Sequence, residues 1–204
     1  MRIALNGRGG KVGTVLAPAL TARGHELVDG LAEAEAMVDF TRPEAVIGNV
    51  EAAMAAGVPS VVGTSGADLA GVGEQAREAG LALFYAPNFA LGAVLMMRFA
   101  AEAAGRFPRA EIVELHHETK VDAPSGTAKA TAAAMGGDPV IHSVRLPGIV
   151  AHQEVLFGGD GQLLTIRHDA YSPEAYVPGV LLALERLDTL SPGLTVGLAT
   201  LLED

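Results

Sequence analysis

The sequence predicts an α/β fold: a parallel sheet between helices comes first, and an α+β part with a mainly antiparallel sheet follows. Three features predict it. Short apolar runs alternate with helical segments over residues 1–90, the pattern of parallel strands joined by crossover helices. Residues 91–172 open with one long helix and continue as strands linked by glycine-rich turns. Residues 173–204 return to helix and then strand, so the tail can rejoin the first sheet. The expected domains are therefore 1–90 with 173–204, and 91–172.

Arg2–Leu5 is a short apolar run ending in glycines, which suits a buried strand. Val12, Val15, Leu16, Ala19 and Leu20 then recur at helical spacing, and Pro18 should kink or end that helix. Glu26–Leu31 and Ala36–Phe40 read as the second and third strands. Thr41 and Glu44 have capping-box spacing, Pro43 suits a first turn, and Gly57 stops the helix. Ser60–Val62 and Leu81–Ala86 are further strands with helical sequence between them. Leu91–Ala104 is a helix stopped by Gly105, and Glu111–His117 is a strand. Ser125 caps a short helix that ends at Gly136-Gly137. Val140–Leu146, Val150–Phe157 and Gln162–His168 are strands, the last two joined at Gly158–Gly161. Val177–Leu190 is helical and Leu194–Leu198 extended.

Half of the 204 residues are apolar, enough for a proper core. A net charge of −10 disfavours nucleic acid and anionic membrane surfaces as partners. There is no cysteine, hence no disulfide, thiol catalysis or thiolate metal site. The apolar run Phe89–Ala104 is broken by Arg98 and Glu102, and the N-terminus lacks a signal-peptide core. A cytoplasmic protein is the expectation.

Gly7-Arg8-Gly9-Gly10-Lys11-Val12-Gly13 stands at the first strand–helix junction. Gly7, Gly10 and Gly13 give a relative of the dinucleotide fingerprint, in which a pyrophosphate rests on backbone N–H groups at a helix start. The acidic residue expected to hold the ribose is Glu33, with Glu35 at similar spacing and Asp29 close by. Asp39-Phe40-Thr41 ends the third strand, Gly63-Thr64-Ser65-Gly66 the fourth, and Ala86-Pro87-Asn88-Phe89 the fifth. Ligands of open parallel sheets bind beyond such strand ends. The last segment is also the place for a hinge.

Glu114 to Ala128 is the most specific stretch: a strand ending in His116-His117, a loop with Lys120, and a helix starting at Ser125-Gly126-Thr127. Backbone N–H groups and hydroxyls at a helix start, beside an ammonium, suit a carboxylate next to an acid–base group. Read alone, the segment is more readily a capped helix with two structural histidines. Adjacent strand residues point to opposite faces, so His116 and His117 chelate a metal poorly, and no metal site is expected. Of only three lysines, Lys11 and Lys120 fall in the two glycine-bearing motifs and Lys129 just beyond the second. A lysine ammonium can give up its proton, whereas guanidinium effectively never does.

These motifs, in this order, resemble the dihydrodipicolinate (4-hydroxy-tetrahydrodipicolinate) reductase family. Arg145–Gly148, His152–Phe157 and Arg167-His168-Asp169 continue the likeness, which covers essentially the whole chain. The resemblance implies a Rossmann-like dinucleotide-binding domain (1–90 with 173–204) and a substrate-binding domain (91–172) whose sheet builds a homotetramer. It implies NADH- or NADPH-dependent reduction of a small cyclic imine dicarboxylate with loss of water, in lysine and diaminopimelate synthesis. His116 matches the active-site histidine and Lys120 the proton-donating lysine. Ser125, Gly126 and Thr127 match the carboxylate-binding turn, with His117 close to substrate. Gly63, Thr64 and Ser65, with Ala86, Asn88 and Phe89, match the nicotinamide-side contacts and the hinge, and Phe40, Thr41 and Pro87 are further cofactor-binding candidates. The chain departs from the pattern by being short between Glu33 and Asp39 and between Gly136 and Val140. Thr119 and Pro173 are further departures. Another amino- or keto-acid dehydrogenase of the same plan is the nearest alternative. An inactive cofactor-binding redox sensor is a second, which the retained Lys120 disfavours.

Overall fold

The computed structural model describes residues 1–202; residues 203–204, the end of the expected tail, lie outside them. The chain divides into two compact units, Met1–Phe89 with the tail from Pro173, and Ala90–Ser172.

The first unit is a six-stranded, all-parallel sheet. Its strands are β1 (Arg2–Asn6), β2 (Glu26–Val28), β3 (Ala36–Asp39), β4 (Ser60–Val62), β5 (Ala82–Tyr85) and β10 (Gly193–Val196). Their order is β10-β5-β4-β3-β1-β2, so the tail does rejoin the sheet, pairing β10 with β5. The chain leaves β1 towards β2 and returns to place β3 on β1's other side. The carboxyl ends of β1 and β3 are therefore the switch point of the sheet, where ligands of such folds bind. Helices α2 (Pro43–Ala55) and α3 (Ala70–Glu78) cover one face over Ala4, Met37, Val62 and Leu83. By strand alternation Ile3, Val38, Val61 and Phe84 point to the other face, where α1 (Gly13–Ala22) and α6 (Val177–Arg186) lie together. Burying a side chain such as Phe84 contributes about 1.5–3 kcal/mol.

Four local expectations are corrected here. Pro18 does not end α1, which runs on to Ala22; Leu16 and Leu20, fully buried on either side of it, hold the helix to the sheet. Strand β2 stops at Val28, and Leu31–Glu33 form a 3₁₀ turn instead. Thr41 and Glu44 make no capping box: Arg42 is the N-cap, without a side-chain bond, and the Thr41 hydroxyl donates to Asp39. The fifth strand is likewise shorter than expected, Ala82–Tyr85.

The second unit holds α4 (Leu91–Ala104), β6 (Arg109–His116), α5 (Gly126–Ala134), β7 (Val140–Arg145), β8 (Ala151–Gly159) and β9 (Gln162–Ala170). The sheet order is β7-β6-β8-β9. β6/β8 and β8/β9 are antiparallel, the latter joined by the Asp160-Gly161 turn. β6 and β7 are parallel, with α5 as their crossover. Helices α4 and α5 cover one face through Ala100, Ala128, Ile112, Val155 and Phe157.

Candidate active site

In the first unit the glycine turn follows β1 directly. Gly7 has φ +82°, and a Cβ there would lie 2.2 Å from the Phe40 carbonyl oxygen. A Cβ on Gly13 would meet the Gly7 oxygen at 2.1 Å. The loops after β1 and β3 are thus pressed together at the switch point, and glycine permits it. Helix α1 starts without a side-chain cap and without an acid in its first turn. Among the described residues nothing accepts from the N–H groups of Lys11, Val12 and Gly13. Arg8 and Lys11 are exposed beside them. This cradle fits a pyrophosphate.

Asp39, fully buried, gathers the neighbouring loops. Its Oδ1 accepts from the Thr41 hydroxyl (2.8 Å) and the Thr64 hydroxyl (2.6 Å), and its Oδ2 from the Asn49 amide (2.7 Å). The Thr41 N–H in turn donates to Thr64 Oγ1 at 2.7 Å. Phe40, Thr41, Gly63 and Thr64 are therefore one fixed surface, with Ser65 exposed beyond it. A Cβ on Gly63 would strike the Phe40 ring at 2.2 Å. The Phe89 ring packs on Phe40 (centroids 5.4 Å) and Phe84 (6.0 Å). Ala86 is buried, Pro87 exposed, and Asn88 half-buried between them and Phe89.

The ribose side differs from expectation. Glu33 is exposed in the 3₁₀ turn, past the end of β2, and the carboxylate immediately after Val28 is Asp29. Glu35 is engaged elsewhere: its carboxylate accepts from the Arg2 N–H at 2.6 Å, which holds its pKa low.

In the second unit the site lies at the carboxyl ends of the parallel pair β6/β7, with the start of α5 between them in sequence. Register places Arg145 opposite His116 and Ser143 opposite Glu114. The Glu114 carboxylate has no exposure. It accepts from Arg145 through both oxygens, at 2.9 and 2.8 Å, from His116 Nδ1 at 2.5 Å and from the Ser125 N–H at 3.2 Å. Burial alone would raise its pKa. Arg145, with hydrogen bonds from Ser143 and His116, brings it down to about 2. His116 is held below its usual value, chiefly by burial, against the opposing pull of Glu114.

The loop after β6 is tied at several points. The Lys120 ammonium sits 2.5 Å from Asp122 Oδ1, and this lowers the Asp122 pKa. Arg145 donates to the Asp122 carbonyl at 2.7 Å. His117 Nδ1 is 2.7 Å from the Thr119 hydroxyl. Ser125 is the N-cap of α5, as its sequence position suggested, accepting from the Ala128 N–H at 3.1 Å. Its own N–H is committed to Glu114, so the free donors at this helix start are the Gly126 and Thr127 N–H groups and the Thr127 hydroxyl. The His116–Thr127 segment thus carries an imidazole, an ammonium and a helix start with free N–H groups.

Glu114, Asp122 and Arg145 lie within the sequence motifs, but the motifs alone give them no role. The spacing of Glu114 and His116 carries a signal, since residues two apart share a strand face. Arg145 could be placed only once β7 was known to run parallel to β6. Among the described residues no cluster of metal-ligating side chains occurs, and no helix is long and apolar enough to cross a membrane.

Comparison with known proteins agrees with this architecture. Residues 25–89 match the family described as dihydrodipicolinate reductase, N-terminus, and residues 92–202 match dihydrodipicolinate reductase, C-terminus. The 4-hydroxy-tetrahydrodipicolinate reductase of Desulfitobacterium hafniense is 48% identical over 198 residues, 83% of this chain and 74% of that one. That of Mycobacterium ulcerans is 41% identical over 244 positions, covering 99% of each chain. Because this chain has 204 residues, that relative carries a substantial length with no counterpart here. The solved dipicolinate-bound dihydrodipicolinate reductase from Paenisporosarcina sp. TG-14 superposes with a TM-score of 0.84 at 31% identity, over 98% of both chains. A probable dehydrogenase from Thermotoga maritima, at 11% identity and TM-score 0.68, shares the fold alone. The chain belongs to the dihydrodipicolinate reductase family.

Proposed function

We propose that the protein reduces 4-hydroxy-tetrahydrodipicolinate, with loss of water, to tetrahydrodipicolinate, using NADH or NADPH. The observation that carries this reading is the second unit's arrangement: His116 and Lys120 beside an α5 start whose Gly126 and Thr127 donors are free. The first unit is assigned to the dinucleotide, which when bound supplies the hydride. The Gly7–Gly13 turn would hold its pyrophosphate, with Arg8 and Lys11 as adjacent cations. Phe40, Thr41, Gly63, Thr64, Ser65 and the Ala86–Phe89 segment would form the nicotinamide side. The second unit is assigned to the substrate. Gly126 and Thr127 grip one carboxylate, with Ser125 fixing the turn and His117 nearby. Lys120 donates a proton or hydrogen bond at the ring, and His116 orients or shares it. Exchange of Lys120 from Asp122 to the substrate keeps the ammonium charge compensated throughout.

The reading also includes assembly. The sheet face not covered by α4 and α5 presents apolar side chains, and we assign it to a homotetramer contact.

The decisive experiment supplies the dihydrodipicolinate synthase product with NADH and, separately, with NADPH. Oxidation of the nicotinamide is expected, and none with either cofactor overturns the proposal. With Asp29 and Glu33 following β2 and no arginine after them in sequence before Arg42, NADH should serve at least as well as NADPH. A kcat/KM more than about tenfold higher with NADPH would refute that preference. Asp29→Ala and Glu33→Ala, assayed separately for NADH affinity, identify which carboxylate meets the ribose.

A further inference from the structure

We infer that Glu114, braced by Arg145, is a positioning residue. It fixes the tautomer of His116 and anchors both the Lys120 loop and the anion-binding start of α5. The inference deepens the reductase reading and rests on it for its kinetic consequence.

The geometry begins with strand period. Glu114 and His116 lie two residues apart on β6 and share the face turned towards α5. Glu114 is completely buried, and its oxygens receive donors from three separate elements. His116 comes from its own strand, Arg145 from β7, and the Ser125 N–H from the start of α5. A buried carboxylate of this kind is stable only where donors fill its lone pairs. Here those donors are parts of the site itself.

The chemical consequence follows from ionisation. Glu114, held ionised by Arg145, can only accept. The His116 nitrogen 2.5 Å from it, Nδ1, must therefore carry a proton. In the neutral ring that leaves Nε2 with its lone pair outward. His116 then presents an acceptor to the site, and the donor's part falls to Lys120. The second consequence is mechanical. Arg145 Nη2 donates both to Glu114 and to the Asp122 carbonyl, while Asp122 holds the Lys120 ammonium. Loss of the carboxylate would release His116, the Lys120 loop and Ser125 together. A carboxylate that served packing alone would have no reason to meet all three.

The first test reads the unmutated protein. Nitrogen-15 spectra of its imidazoles, with His116 assigned through His116→Gln, should show Nδ1 protonated and Nε2 bare at neutral pH. A protonated Nε2 in neutral His116 overturns the inference without any variant. The second test is Glu114→Gln, whose amide can donate or accept towards Nδ1. It should shift His116 towards the Nε2–H tautomer and lower kcat roughly 10- to 100-fold, as loss of carboxylate partners behind functional histidines does elsewhere. Dinucleotide affinity should stay within about threefold, since the Gly7–Gly13 turn is untouched. Should the lone guanidinium prevent folding, Glu114→Gln with Arg145→Met removes both charges together and is held to the same expectations. A folded variant with unchanged tautomer and wild-type kcat overturns the inference and leaves the reductase reading intact. Conversely, wild-type protein with the expected tautomer but no turnover of the synthase product overturns the reductase reading alone, because the spectrum needs no substrate.

Discussion

Lys120 is only 23% exposed along its side chain, and its ammonium already rests against Asp122. Such a group is oriented before substrate arrives, so its removal should be felt in turnover more than in binding. General acid–base help is usually worth about 10²–10⁴-fold. Lys120→Ala and His116→Gln should each lower kcat by about two orders of magnitude or more, with the double variant losing less than the product of the single losses. Steady-state kinetics alongside dinucleotide titration checks this, and near wild-type turnover by Lys120→Ala would remove its catalytic role. Glu114 carries an expectation about acid. Its carboxyl is held at about 2 against an ordinary 4.5, so the native chain binds fewer protons than the unfolded one between those values. The stability it contributes is complete above its unfolded pKa and is lost as the pH falls through about 2. The shift corresponds to about 3 kcal/mol at most. Urea titrations across that window should show wild type losing more stability than Glu114→Gln does, and equal slopes would contradict the assignment.

At the scale of elements, the parallel unit β6–α5–β7 explains why the loop that carries Lys120 is where it is. A crossover helix must begin near the carboxyl end of the strand before it. His116 and the α5 start are therefore neighbours by topology, and Arg145 joins them from the end of β7. The structure separates two roles at that helix start. Ser125 caps it and is buried, whereas Thr127 is half-buried with donors to spare. Ser125→Ala should cost about 1 kcal/mol of stability. Thr127→Ala should chiefly raise the substrate KM. Thermal or urea unfolding together with Michaelis kinetics distinguishes them, and an unchanged KM in Thr127→Ala would take the carboxylate away from α5. Much of this was legible beforehand. Buried parallel strands such as Ala36–Asp39 read as unbroken apolar runs, and Ser125 stands where a cap belongs. The parallel pairing of β7 was not legible, because strand direction depends on the crossover rather than on residues 140–145. The failed Thr41–Glu44 box has a similar cause: buried Asp39 draws in the Thr41 hydroxyl, a tertiary demand outweighing a local pattern. Glu33 was placed by counting from the glycines, and the early end of β2 at Val28 shifted the strand-end position to Asp29.

For the whole molecule, the outstanding question is what covers the open face of the second sheet. Alternation puts Val140 and Val144 of β7, Val113 and Leu115 of β6, Leu156 of β8 and Leu163 of β9 on that face, away from α4 and α5. Val140 is 57% exposed and Leu163 68%, and Tyr171 continues the face past β9 at 76%. The charges among them are largely paired already: Glu111 with His142, and Arg167 with both Glu154 and Asp169. An apolar sheet face whose charges are mostly held in pairs can meet a copy of itself with few charges stranded, despite the chain's overall −10. Closed symmetry then makes such a contact isologous, and two kinds of isologous contact give a tetramer. Sedimentation equilibrium should return four subunits. Val140→Glu with Leu163→Glu places acids at both edge strands, β7 and β9, and repels the facing copy. That variant should sediment as a smaller species with its far-ultraviolet circular dichroism unchanged, because neither residue belongs to the core beneath α4 and α5. Wild-type protein that stays monomeric at micromolar concentration would overturn the tetramer, and a double variant that stays tetrameric would move the assembly contact off this face.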